Sequence, residues 1–102
     1  MLPWLRKILG LKPEHQLAEI EACEPSIEER LDRLVTRMGR YKNKDVQELD
    51  EIIEDLSKVL DILEKIITTL ENIGGQTRAE ELRRRLRNNQ TRARKARNAL
   101  KA

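Results

Sequence analysis

Aromatic side chains are nearly absent from this chain of 102 residues, which has one Trp, one Tyr and no Phe. Any core must therefore be built from Leu and Ile, helped by Val and Ala. The same scarcity removes the stacking platforms on which single-strand nucleic-acid binders lay their bases. Cysteine is down to Cys23, so no intrachain disulfide can form, and a reducing, intracellular and cytoplasmic setting is the expectation. Histidine is down to His15, which leaves too few Cys and His ligands for a zinc site; no metal and no cofactor are expected. No apolar run approaches the roughly 20 residues of a membrane-spanning helix. The first residues also lack the long apolar stretch and small-residue cleavage site of a signal peptide.

Catalytic constellations are missing too. His15 has no Ser or Cys nucleophile arranged near it, and the acids around Cys23 raise a thiol pKa rather than lower it. The pair Gly74-Gly75 fits neither the Walker spacing nor a G-x-G-x-x-G loop. The Glu-x-x-His motif of di-iron bundles does not occur. The chain reads as a non-enzyme.

What is present is helical periodicity. Over residues 45–73, Val46, Leu49, Ile53, Leu56, Leu60, Leu63, Ile67 and Leu70 recur at spacings of three and four, an a/d heptad pattern. Ile52, Val59, Ile66 and Ile73 add an apolar residue at each g position, so the stripe is wide enough to face two neighbouring helices. Such a helix would be roughly 44 Å long, with Asp45 as N-cap, Glu48 completing the cap and Gly74-Gly75 ending it. Ser26 and Glu29 form a capping box that opens a shorter helix over about 26–39. A third helix, about 77–101, starts at the box of Thr77 and Glu80 and carries the seam Ala79, Leu82, Leu86, Asn89, Ala93, Ala96 and Leu100. Its Ala-rich half buries little area, and Asn89 suits a register-setting position. The expectation is an all-α fold: an antiparallel helical bundle or coiled-coil hairpin with a long central heptad helix, a basic C-terminal helix and a short amphipathic N-terminal helix. Residues 1–24 form a separate unit of short helices, broken near Pro13, and residues 25–102 form the three-helix region.

Charge makes up 38% of the chain, with a net of only +3. Residues 42–73 hold nine acids and four Lys, residues 76–102 hold ten bases and two Glu, and residues 1–41 hold seven of each. A basic helix folded against an acidic one pairs some of this charge, with Asp50, Glu64 and Glu71 facing Arg78, Arg83, Arg85, Arg92 or Arg97. Arg84, Arg87, Arg94, Lys95 and Lys101 fall on the outward positions and form the candidate polyanion-binding set. With only one Trp and one Tyr, nucleic-acid binding would be directed at the phosphate backbone and be non-specific in sequence.

Two further surfaces stand out. The seam of Ile52, Ile53, Leu56, Val59, Leu60, Leu63, Ile66, Ile67 and Leu70 is matched only in part by the neighbouring helices, so a homo-oligomer is expected to cover it. Near the N-terminus, Leu2, Trp4, Leu5, Ile8 and Leu9 lie on one half of a helical wheel, with Arg6 and Lys7 opposite. This stretch is expected to dock on the bundle or on another subunit, or to lie on a membrane surface through residues 1–12. The leading expectation is a self-associating helical adaptor that contacts nucleic acid or another polyanion through the Arg-rich helix. The alternatives are an assembly protein of scaffold, virion or secretion type whose charged helices bind acidic protein partners, and a peripheral membrane protein.

Overall fold

The computed structural model describes residues 5–37, 42–70 and 73–101, excluding the side chains of residues 73 and 74. All described elements are helices: α1 (Leu5–Leu9), α2 (Pro13–Thr36), α3 (Lys42–Thr69) and α4 (Ile73–Lys101). The long helices α2, α3 and α4 form an all-α bundle with extents of 46 × 22 × 18 Å. Its radius of gyration is 14.5 Å, against about 13 Å for a compact domain of this length, as expected of side-by-side rods. α3 and α4 pack most extensively on each other, both pack to a lesser extent on α2, and α1 packs on α2.

The heptad stripe of α3 is what holds the bundle together. Leu49, Ile52, Ile53, Leu56, Val59, Ile62, Leu63, Ile66 and Leu70 are buried, whereas Val46, Leu60 and Ile67 are half-buried. The buried face is thus centred on the d and g positions and reaches round to Ile62 and Asp55. The a positions lie at its edge. Every residue of the expected α4 seam is buried, from Ala79 to Leu100, with Asn89 among them and Gln90 beside it. The Ala-rich half of α4 stays docked because small side chains let the helix approach the Ile and Leu ridge of α3 closely. α2 and α4 of the same chain cover most of the α3 stripe and leave Val46, Leu60 and Ile67 half-buried.

Four helix boundaries differ from expectation. α2 runs unbroken through Pro25, so Ser26 and Glu29 do not start a helix. The reason is nonlocal: Leu17, Ile20, Glu24, Ile27, Leu31 and Leu34 form one buried row that continues across the proline, and Pro25 itself is exposed. Its missing N–H and its ring cost about 3 kcal/mol, which burial of apolar side chains on both sides of it offsets, at roughly 1.5–3 kcal/mol each. α3 begins at Lys42 rather than Asp45, and Asp45 is not a cap but a fully buried side chain within the first turn. At its other end α3 stops at Thr69, and α4 begins at Ile73, so Gly74 and Gly75 fall in its first turn instead of ending α3 and the box of Thr77 and Glu80 lies within α4 rather than starting it. Gln76 Nε2 donates to the Leu70 carbonyl at 2.6 Å, closing the end of α3 from the side chain of the next helix. The expected contributions of Leu2, Trp4 and Ile73 lie outside the described side chains, as does Glu71.

Because Pro25 is exposed and is retained at an energetic cost, Pro25→Ala should raise stability. The recovered helix propensity, less the lost rigidity of the unfolded chain, comes to about 2 kcal/mol. Urea unfolding should show a higher midpoint with an unchanged slope; a loss of stability would mean that the proline is needed at a helix boundary.

Candidate polyanion-binding surface

Arginines of α4 lie along both of its flanks. On the side facing α3, residues 83, 90 and 97 meet residues 64, 57 and 50, each step being seven residues in opposite directions. Arg83 Nη1 is 2.8 Å from Glu64 Oε1, Gln90 Nε2 donates to Ser57 Oγ at 2.7 Å, and Arg97 Nη1 is 3.1 Å from Asp50 Oδ1. Gln90, which is buried, also donates to the Ile53 carbonyl at 2.9 Å. On the side facing α2, Arg78 binds Glu21, Arg85 Nε lies 3.8 Å from the buried Glu24, and Arg92 Nη2 lies 2.5 Å from Asp32. The first ladder runs antiparallel and the second parallel, as an up-down-up bundle requires. Each exposed pair contributes only about 0–1 kcal/mol, but a slip in register would break all of them together.

These ladders take up five of the ten bases of α4. Of the acids expected to face the α4 arginines, Asp50 meets Arg97 and Glu64 meets Arg83, whereas Arg78, Arg85 and Arg92 find carboxylates on α2, which sequence reasoning did not assign to them. Of the candidate polyanion set, Arg84 is exposed but held by Glu81, and Arg87 Nη2 is 3.2 Å from Glu64. The hydrogen bond from Arg84 holds the Glu81 carboxyl below its usual range, and the hydrogen bond to Glu21 raises the Arg78 guanidinium further. Arg94, Lys95 and Lys101 are exposed and make no ion pair with any described residue.

The fold re-sorts charge by end rather than by helix. Residues 28–37, 42–51 and 92–101 come together where α2 ends, α3 begins and α4 ends, through the contacts of Arg37 with Asp45, Arg92 with Asp32 and Arg97 with Asp50. Those segments carry ten bases and seven acids, while the remaining described residues carry ten of each. The surplus of the described residues therefore sits at one end of the bundle. At that end Arg30, Arg33, Lys42, Lys44, Arg94, Lys95 and Lys101 make no ion pair with any described residue, and neither do the acids Glu28, Glu29 and Glu51. This surface was missed because counting along the chain cannot show which segments of different helices become neighbours.

Arg37 anchors this end. Its Nη2 donates to Asp45 Oδ1 at 3.0 Å and lies 3.6 Å from Glu48. The Asp45 side chain is fully buried, and its Oδ2 has no hydrogen-bond partner.

The N-terminal candidates divide. Leu5 and Ile8 are buried in the bundle, Gln16 Nε2 donates to the Ile8 carbonyl at 2.8 Å, and Leu9 is 61% exposed. Contact of Leu5 and Ile8 with a membrane would require α1 to leave α2. No described helix is long and apolar enough to cross a membrane. Among the described residues no group of three or more His, Cys, Asp or Glu side chains could hold a metal ion, and His15 is exposed. Burial pushes the Cys23 thiol up, Glu19 adds to this, and Lys7 opposes it.

Two measurements check these assignments. Arg37→Ala leaves a buried carboxylate without its guanidinium and should cost about 3–5 kcal/mol in urea unfolding. Alkylation of Cys23 should be slower in the folded chain than in urea at pH 8. Its pH midpoint should lie above that of a free thiol, about 8.5, because the raised pKa keeps the thiol protonated to higher pH. Comparison of the chain with protein-family models, with curated proteins and with solved structures finds no match.

Proposed function

We propose that the protein is a non-enzymatic helical adaptor that contacts the phosphate backbone of nucleic acid through the basic end of its bundle. The observation that carries this reading is the gathering of seven bases without ion-pair partners, against three such acids, from three helices onto one end of a molecule whose other described charges balance. Local helix energetics explains only some of them. Lys101 sits in the last turn of α4, where a cation is favourable. Lys42 and Lys44 occupy the first turn of α3, where the macrodipole disfavours cations by about 0.3–1 kcal/mol each. Bases held at an unfavourable helix end fit a surface that meets an external anion. Arg84 and Arg87, engaged by Glu81 and Glu64, play at most a secondary part.

The binding unit in this reading is the single chain. Self-association was expected because an Ile and Leu stripe would otherwise face water, and α2 and α4 cover most of that stripe. The assembly reading and the membrane reading keep their place as outcomes of the test below.

Fluorescence anisotropy of random-sequence duplex and single-stranded DNA, repeated across a salt series, tests the proposal. Affinity should fall with salt at a log–log slope near −0.9 per phosphate neutralised on duplex. Changing Arg94, Lys95 and Lys101 together to Gln should flatten that slope by about 2 to 3, whereas changing Arg84 and Arg87 should alter it little. No binding at low salt would remove the reading and favour an acidic protein partner. Binding of anionic vesicles that is lost on deleting residues 1–12 would favour the membrane.

A further inference from the structure

Among the described residues, most arginines that lie between helices are matched by carboxylates. Arg78, Arg83, Arg85, Arg92 and Arg97 each have an acid from a neighbouring helix. Arg30 is half-buried on α2, yet it makes no ion pair with any described residue. It lines a groove between α2 and α3, together with Arg33, Leu34, Arg37 and Glu48, with a volume of about 290 Å³. Positions 30, 33 and 37 fall on one face of α2 over two turns, so three guanidinium groups border the same space. Arg37 is engaged by Asp45 and Glu48, which leaves Arg30 and Arg33 as the groove's available donors.

We infer that this groove binds a phosphate monoester. Two guanidinium forks match the charge and the oxygen geometry of a phosphate dianion, each offering parallel N–H donors. The volume is at the lower end of small-molecule sites, roughly 300–1,000 Å³, enough for a phosphate and a small organic portion. Glu48, 3.6 Å from Arg37, can accept a hydrogen bond from a hydroxyl on that portion. Arg33 also borders a second hollow of about 380 Å³ whose rim carries Glu29 and Asp32. Glu29, which makes no ion pair with any described residue, disfavours an anion on that side, whereas Asp32 is already engaged by Arg92. The site does not depend on the nucleic-acid reading: the same chemistry is presented by a free phosphate ester and by the terminal phosphate of a polynucleotide.

The test is NMR of the arginine side-chain Nε–H groups during titration with inorganic phosphate, with chloride at equal ionic strength as control. Saturable shifts of the Arg30 and Arg33 signals are expected with phosphate and not with chloride. Arg30→Gln and Arg33→Gln should each weaken the interaction about tenfold or more, with helix content by circular dichroism unchanged. Arg30→Lys keeps the charge but loses the fork, and should weaken it as well. The inference is overturned if phosphate produces no saturable shift, or if the shift survives both Gln variants. Two oligonucleotides, one ending in a phosphate and one in a hydroxyl, then separate the sources. Tighter binding of the phosphorylated strand, lost in Arg30→Gln, points to a polynucleotide end; equal binding of both strands points to a free phosphate ester. If neither strand binds while phosphate still saturates, the nucleic-acid proposal fails and the groove stands.

Discussion

The alignment of α4 against α3 decides where every other surface of the molecule lies. It is held by the repeat of Arg83, Gln90 and Arg97 opposite Glu64, Ser57 and Asp50. The apolar seam alone would tolerate a slip, since Ala and Leu recur along it with the same heptad period. The polar flank would not, because each slip leaves charges without partners. Its middle rung is buried and neutral: Gln90 reaches both a hydroxyl and a main-chain carbonyl. A charged pair there would face a desolvation penalty that its mutual attraction repays only with excellent geometry, while an amide is satisfied at lower cost. Charge at the wetter rungs and an amide in the dry one is a division that burial dictates.

The second ladder, from α4 to α2, depends on the first. Once α4 is aligned on α3, its other flank presents Arg78, Arg85 and Arg92 to the acids of α2. Glu24 is the costly member, because it stands in the buried row of α2 and has Arg85 only at 3.8 Å. The result is a bundle in which most of the arginines of α4 act as structural connectors. What remains for an external partner is defined by subtraction: the bases of the far end that the ladders leave unmatched.

Much of this architecture was legible in the sequence. The seam of α4 was readable residue by residue because a heptad of Ala and Leu has no competing interpretation, and the core of α3 followed from its wide stripe. The continuity of α2 was hidden by two local signals, Pro25 and the box of Ser26 and Glu29. Both were outweighed by a row of contacts distant in sequence. Glu24 concealed that row further, since a charged residue at a seam position interrupts the apolar pattern on which periodicity depends. The pairing of Asp50 and Glu64 was readable from heptad flanks, but the α2 partners of Arg78, Arg85 and Arg92 were not. They depend on which helix comes to lie alongside, and that is settled by packing.

The basic end is composed of three segments that lie far apart along the chain. A basic tail keeps its charge density in any conformation, folded or not. Here the density exists only while α2, α3 and α4 are aligned, and it disperses as soon as they separate. An anion that reads the three segments together therefore discriminates between the native chain and its unfolded ensemble. It would shift that balance by RT ln(1 + [L]/Kd), about 2.7 kcal/mol when ligand is present at a hundred times its dissociation constant. For so small a bundle, recognition and persistence of the fold become a single thermodynamic quantity.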